Sequence, residues 1–118
     1  MKISESYTEE DILRFLGLAT RASKVVSGND QIIDEARKGH IKLLIVARDI
    51  SRNTFDKFLG VLSTLENEIP AAYKFADKRK LGNAIGRPDR ALVGITDEGF
   101  AGKLEIMLDR FEYKEEQN

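Results

Sequence analysis

The chain has 118 residues, a length typical of one domain, and 42% of them are apolar, which is too large a share for a disordered chain. No apolar run approaches the ~20 residues of a transmembrane helix. The chain has no cysteine, which excludes disulfides and thiolate zinc sites, and its single histidine, His40, argues against histidine-based catalytic triads. The net charge is −1, but residues 21–95 carry 14 basic and 9 acidic side chains, so the middle of the chain forms either a basic face between acidic ends or an ordinary mixed surface.

Segments whose apolar residues repeat at helical spacing alternate along the chain with segments typical of strands. Residues that cap or end helices separate these segments. Thr8 and Asp11 have the spacing of a capping pair, and the unbroken apolar run of the second strand is typical of a strand covered on both faces. The third helix is expected to bury Phe55, Phe58, Leu59 and Leu62. The predicted elements, in chain order, are a helix from Thr8 to about Ala22, a strand at Val25–Val26, a helix over Asp30–Lys38, a strand over Leu43–Ala47, a helix from Ser51 to about Glu66, a strand over Ala71–Phe75, a helix from Asp77 to Gly86, a strand over Ala91–Ile95 and a helix from about Asp97.

This order, αβαβαβαβα, predicts an α/β fold, a three-layer α/β/α sandwich with one sheet of about four strands between helical layers. Several connections are helices long enough for parallel crossovers, so we expect a mixed or mostly parallel sheet, although the pattern assigns no strand order. We expect residues 1–118 to form one soluble cytoplasmic domain whose polar tail, residues 112–118, frays.

The sequence contains no recognised catalytic motif. A P-loop, a GxGxxG fingerprint after a strand, GxSxG and HExxH are all absent. His40 directly follows a helix stop, where a histidine is usually a capping or surface residue, and the acidic residues Asp30, Asp34 and Glu35 are typical of a solvated helix start. We therefore predict no enzyme, no catalytic residue, no metal site, no cofactor and no small-molecule substrate.

A glycine turn offers a stronger physical rationale for binding. Ser27, Gly28 and Asn29 open a helix whose free backbone N–H groups attract anions, and glycine lets a phosphate backbone come close. Arg21 and Lys24 precede the turn, and we expect them to complete a phosphate grip. A second basic cluster is Lys78-Arg79-Lys80, and a third is the Arg87–Arg90 loop. In a small sandwich the loops at one end of the sheet converge, so we expect the Arg87–Arg90 loop and the glycine turn to flank one groove. The alternative is that the turn only caps a helix and the basic residues only solubilise the surface.

Two long segments carry a family resemblance. The runs LGLATRASKVVSGNDQIIDEARKGHIKLLIVARDISRNT and KFADKRKLGNAIGRPDRALVGITDEGFAGKL resemble the ribosomal protein seven-Ae family, especially its small bacterial YlxQ-like branch, over about residues 15–108. The resemblance implies a three-layer α/β/α domain that binds kink-turn RNA and is not an enzyme. It also implies an RNA-reading turn with a glycine, an Asn-Glu pair and a lysine one helical turn later, and a second contact through an apolar loop before the last strand.

The chain departs from that pattern at several positions. The glycine corresponds to Gly28, while Asp30 and Gln31 stand where the family has Asn-Glu, and Asp34 stands where it has lysine. Asp30 can only accept hydrogen bonds, Gln31 lacks a charge, and Asp34 would repel phosphate. The family's apolar loop corresponds to the charged run from Arg87 to Arg90.

We therefore predict a non-catalytic RNA-binding protein that recognises structured, kink-turn-like RNA in association with the ribosome or translation. The alternative is a protein-interaction or ribosome-associated scaffold that has lost kink-turn binding, since the acidic Asp30 and Asp34 face suits a basic protein partner. Neither function involves a membrane. The predicted RNA-binding residues are Arg21, Lys24, Gly28, Asn29, Asp30, Gln31, Asp34, Lys78, Arg87 and Arg90.

Overall fold

The computed structural model describes residues 6–66, 68 and 70–117, with the side chains of 112–117 left out. The described part of the chain contains five helices and four strands in the predicted order, which confirms the αβαβαβαβα pattern. The elements are α1 (Glu9–Arg21), β1 (Val25–Ser27), α2 (Asn29–Arg37), β2 (Leu43–Val46), α3 (Arg52–Leu62), β3 (Ala71–Lys74), α4 (Lys78–Ala84), β4 (Leu92–Ile95) and α5 (Glu98–Gln117).

The four strands form one mixed sheet in the order β1-β4-β2-β3. The strands β2 and β3 are parallel and joined by the crossover helix α3, whereas β4 runs antiparallel to both β1 and β2. The expectation of a mixed sheet is confirmed, although most of its pairings are antiparallel. The strands β1, β2 and β3 consequently end at the edge of the sheet where β4 begins, and we call this edge, around Ser27, Val46, Lys74 and Leu92, the Gly28 edge.

Helices cover both faces of the sheet, so the predicted three-layer sandwich is confirmed. On one face α1, α4 and α5 bury Leu16, Leu81 and Leu104 against the sheet, and on the other α2 and α3 bury Ile32 and Phe58. All four residues of β2 are buried and alternate between these two clusters, as an unbroken apolar strand requires.

The predicted helix caps are present. The Asp11 backbone N–H donates to Thr8 Oγ1, and the Thr8 N–H donates to Asp11 Oδ2, each at 3.0 Å. The bond from the Thr8 backbone holds the pKa of the Asp11 carboxyl below its ordinary value. Ser51 and Asp77 accept similar bonds at the starts of α3 and α4. Polar side chains in the sequence therefore set where these helices begin.

Several predicted helix boundaries and one predicted core position need correction. The helix α3 ends at Leu62 rather than Glu66, and past that point the Ser63 and Thr64 hydroxyls donate to the carbonyls of the last turn. Leu59, expected in the core, is 43% exposed because Phe58 and Leu62 take the inward positions. The helix α2 begins one residue early because Gly28 is its N-cap. The helix α5 continues to Gln117, Asn118 lies outside the described residues, and fraying of the tail stays a prediction.

Candidate nucleic-acid interface

Gly28 forms the turn between β1 and α2 at the Gly28 edge. Its φ of 89° and ψ of 151° lie in a region that essentially only glycine occupies. Its N–H donates to the Leu92 carbonyl, and its own carbonyl accepts from Ile32 in the first turn of α2. No side chain caps the helix at this position, so the backbone N–H groups of the first turn and the positive end of the helix dipole remain available to an anion.

The loop before β4 lies against this turn. Arg90 donates from Nε to Ser27 Oγ at 3.1 Å and from Nη1 to the Asp89 carbonyl at 3.0 Å. Its backbone N–H donates to the Lys78 carbonyl at 2.9 Å. The loop and the glycine turn are therefore adjacent, as expected for loops at one end of a small sandwich.

Gly82 in α4 lets this loop lie flat on the helix. The Arg87 N–H donates to the Gly82 carbonyl at 2.8 Å, and a Cβ at Gly82 would stand 2.1 Å from the Pro88 carbonyl oxygen. Such a distance is impossible without movement of the loop backbone. The glycine therefore permits the close packing that brings Arg90 back along α4 to Lys78 and Ser27.

Lys78 connects this loop to the end of β2. Its backbone N–H donates to Asp49 Oδ1 at 2.9 Å, and the backbone N–H of Arg48 donates to the Ala76 carbonyl at 2.8 Å. Sequence reasoning did not select Arg48 or Arg52, which follow β2 at the same edge. The signal that could have found them is the strand order, since residues after parallel strands share one edge.

Arg21 and Lys24 lie at the opposite edge of the sheet. The Lys24 carbonyl accepts from the Thr96 N–H, just past the end of β4, at 2.9 Å. The three-residue strand β1 separates Lys24 from Gly28 by roughly 13 Å of extended chain. The predicted grip of Arg21 and Lys24 around the glycine turn is therefore not formed. A contact of either residue with RNA stays a prediction.

The polar residues of α2 are exposed beside the turn. Asn29, Asp30 and Gln31 form its first turn, and the carboxylate of Asp34 lies 3.3 Å from Lys38 Nζ. This pair partly offsets the negative charge that replaces the family's lysine, but both side chains are mostly exposed and the pair is weak.

The predicted surface position of His40 agrees with its contacts. His40 is exposed, and its Nδ1 lies 2.8 Å from Glu35 Oε1. Within the described ranges, histidine and carboxylate side chains form no cluster of three that could hold a metal ion. In the same part of the chain we found no bilayer-spanning helix.

Comparison with known proteins adds independent information. Residues 10–105 match the model of the ribosomal protein L7Ae/L30e/S12e/Gadd45 family. The RNA-binding protein YlxQ of Bacillus subtilis is 43% identical over 95 residues, which are 80% of this chain and 91% of that protein. The large ribosomal subunit protein eL8 of Cenarchaeum symbiosum is 32% identical over 91 residues, 76% of this chain and 70% of that protein.

A solved structure shares the fold at much lower sequence identity. The Giardia lamblia 15.5kD RNA binding protein superposes with a TM-score of 0.64 at 16% identity and covers 94% of each chain. At that identity the likeness shows the fold alone.

Proposed function

The chain belongs to the ribosomal protein L7Ae/L30e/S12e/Gadd45 family, in its small bacterial YlxQ-like branch, and we propose that it is a non-catalytic protein that binds structured RNA through the Gly28 edge. The relatives it matches are named for RNA binding or for the ribosome. We place its action in the cytoplasm, with RNA as its principal partner and with ribosomal or translation-related proteins as further partners.

The observation that carries this proposal is the placement of Arg90 beside an uncapped helix start. Arg90 contacts Ser27, the residue before Gly28, so its guanidinium lies close to the helix start of α2, whose first N–H groups have no side-chain cap. Backbone N–H groups and arginine are the two protein groups that hold phosphate oxygens best. Lys78, bonded through its carbonyl to Arg90, adds a further cation.

Kink-turn-like RNA is the class of RNA ligand that we favour. Duplex RNA hides its base edges in a narrow major groove, whereas bends and loops present unstacked bases to a protein. Asn29 and Gln31 carry amide groups able to donate to and accept from base edges, and Asp30 can accept from them. Arg87 and Arg90 replace an apolar loop, so this part of the interface would contact phosphate.

The test of this function is binding to a kink-turn RNA and to a straight duplex of equal length, each over a salt series. We expect tighter binding to the kink-turn and a steep loss of affinity with salt, because each neutralised phosphate releases counterions. Equal, weak binding to both RNAs would contradict recognition of the bend.

The exposed carboxylates of α2 favour one alternative, a scaffold that binds a basic protein and has lost kink-turn binding. Asp30 and Asp34 both lie on the exposed side of α2, next to the proposed RNA site. A partner that is recovered with the protein after nuclease treatment, together with the absence of RNA binding, would support the scaffold. Recovery that depends on intact RNA would support the proposed function.

A further inference from the structure

The hydrogen bond between Arg90 and Ser27 joins two backbone segments that are each held in place. Ser27 is the last residue of β1 and lies opposite Val93 in the sheet. The backbone of Arg90 is fixed by the Lys78 carbonyl, and both partners of the side-chain bond are partly buried. The bond therefore connects two rigid points and does not depend on a mobile loop.

Two bonds fix the plane of the Arg90 guanidinium. Nε donates to Ser27 and Nη1 donates to the Asp89 carbonyl, and the group is planar, so it cannot rotate without breaking one of them. Within the described part of the chain, the remaining N–H groups of Arg90 have no partner and can donate to a ligand with paired oxygens. An arginine held in this way has already lost the side-chain entropy that a free arginine would lose on binding.

We propose that Ser27 is a positioning residue that orients Arg90 before RNA arrives, so that Arg90 meets an RNA phosphate with its guanidinium already aligned. This inference rests on the proposed function, because it assigns a role within the same site. Ser27 need not contact RNA, and its effect on affinity passes through Arg90.

Arg87 provides the comparison within the same loop. Its side chain is exposed and, among the described residues, makes no hydrogen bond or ion pair. Arg87 therefore supplies charge without a fixed orientation. Removal of either arginine would lower the number of counterions released on RNA binding. Only the contribution of Arg90 to RNA affinity should depend on Ser27.

The first experiment uses the protein without RNA. Solvent exchange of the arginine Nε–H groups is measured by NMR in the wild type and in Ser27→Ala, Ser27→Thr and Ser63→Ala. We expect a slowly exchanging Arg90 Nε–H in the wild type, faster exchange in Ser27→Ala, and recovery in Ser27→Thr, which keeps the hydroxyl. Ser63→Ala removes a hydroxyl that bonds the Gly60 carbonyl in α3 and should leave Arg90 unchanged.

The second experiment measures affinity for the kink-turn RNA in a double-mutant cycle. Ser27→Ala should weaken binding about fivefold in the wild-type background and have no further effect in Arg90→Ala, because the hydroxyl acts only through the guanidinium. The slope of log affinity against log salt should fall by roughly 0.7–0.9 in Arg90→Ala and stay unchanged in Ser27→Ala.

The outcomes separate this inference from the proposed function. Equal Nε–H exchange in the wild type and Ser27→Ala, or fully additive effects on affinity, would overturn the positioning role even if RNA binds tightly. If the wild-type protein binds no RNA, the proposed function fails and the role of the pair in RNA binding fails with it. The exchange measurement would still show whether Ser27 holds Arg90.

Discussion

Gly28 meets a structural requirement and lies at the centre of the RNA site that we propose. A Cβ at this position would meet no other atom within 4 Å, so space does not demand glycine there. The backbone conformation does, because φ of 89° with ψ of 151° strains any other residue by about 1–3 kcal/mol. The open space above the turn is where we place the RNA backbone.

A Gly28→Glu substitution should strongly weaken RNA binding and leave the fold intact. The carboxylate would stand at the start of α2, where it would repel phosphate and occupy the space above the turn. We expect a loss of RNA affinity of at least about tenfold and a fall in the free energy of unfolding of about 1–3 kcal/mol, measured by fluorescence anisotropy and urea unfolding.

The matched control is Gly102→Glu, which adds the same charge in α5 at an exposed position where a Cβ meets no atom within 4 Å. This variant should bind RNA like the wild type. Wild-type affinity in a folded Gly28→Glu protein would remove the glycine turn from the binding site.

At the scale of elements, α4 and the loop after it act as one unit. The loop from Gly86 to Arg90 folds back over α4 and is bonded to it at Gly82 and at Lys78. The close approach at Gly82 depends on the missing Cβ. The position of Arg90 is therefore set by a glycine eight residues earlier in the chain.

A Gly82→Ala substitution should destabilise the protein and weaken RNA binding together. Alanine is the better helix former by about 1 kcal/mol, so helix propensity alone would make the variant more stable. The clash with the Pro88 carbonyl oxygen outweighs that gain, because the loop must leave α4 and takes Arg90 with it. Thermal unfolding and RNA titration would measure the two effects.

Gly60→Ala in α3 is the matched control, because a Cβ at Gly60 would meet no atom within 4 Å. It tests the gain in helix propensity without a clash. We expect this variant to be more stable than the wild type and to bind RNA equally well. Gly82→Ala with raised stability and unchanged affinity would show that the loop position does not depend on Gly82.

At the scale of the whole molecule, the two edges of the sheet differ in what they present. Both α2 and α3 begin at the Gly28 edge, next to Lys78 and Arg90. At the opposite edge, Lys42 lies 3.9 Å from the Glu98 carboxylate and several helices end. The Gly28 edge therefore brings the starts of α2 and α3 together with Lys78 and Arg90. The opposite edge carries Arg21, Lys24, the ion-paired Lys42 and the start of α5.

The sequence predicted the elements better than their arrangement. Helix caps and the buried run of β2 are local signals, and they placed the helices and strands to within a few residues. The strand order depends on packing between distant segments, so sequence neighbours such as Lys24 and Gly28 were assigned to one site although β1 separates them. For the same reason Arg48 and Arg52 were overlooked, because only the strand order brings them to the Gly28 edge.

Amide NMR shifts during titration with kink-turn RNA test the central claim most directly, namely that the Gly28 edge is the RNA-binding surface. We predict the largest shift changes at Ser27 to Gln31, at Lys78 and at Arg87, Asp89 and Arg90, with little change around Lys42 and Thr96 at the opposite edge. Changes concentrated at Lys42 and Thr96, with the Gly28 turn unaffected, would contradict the account.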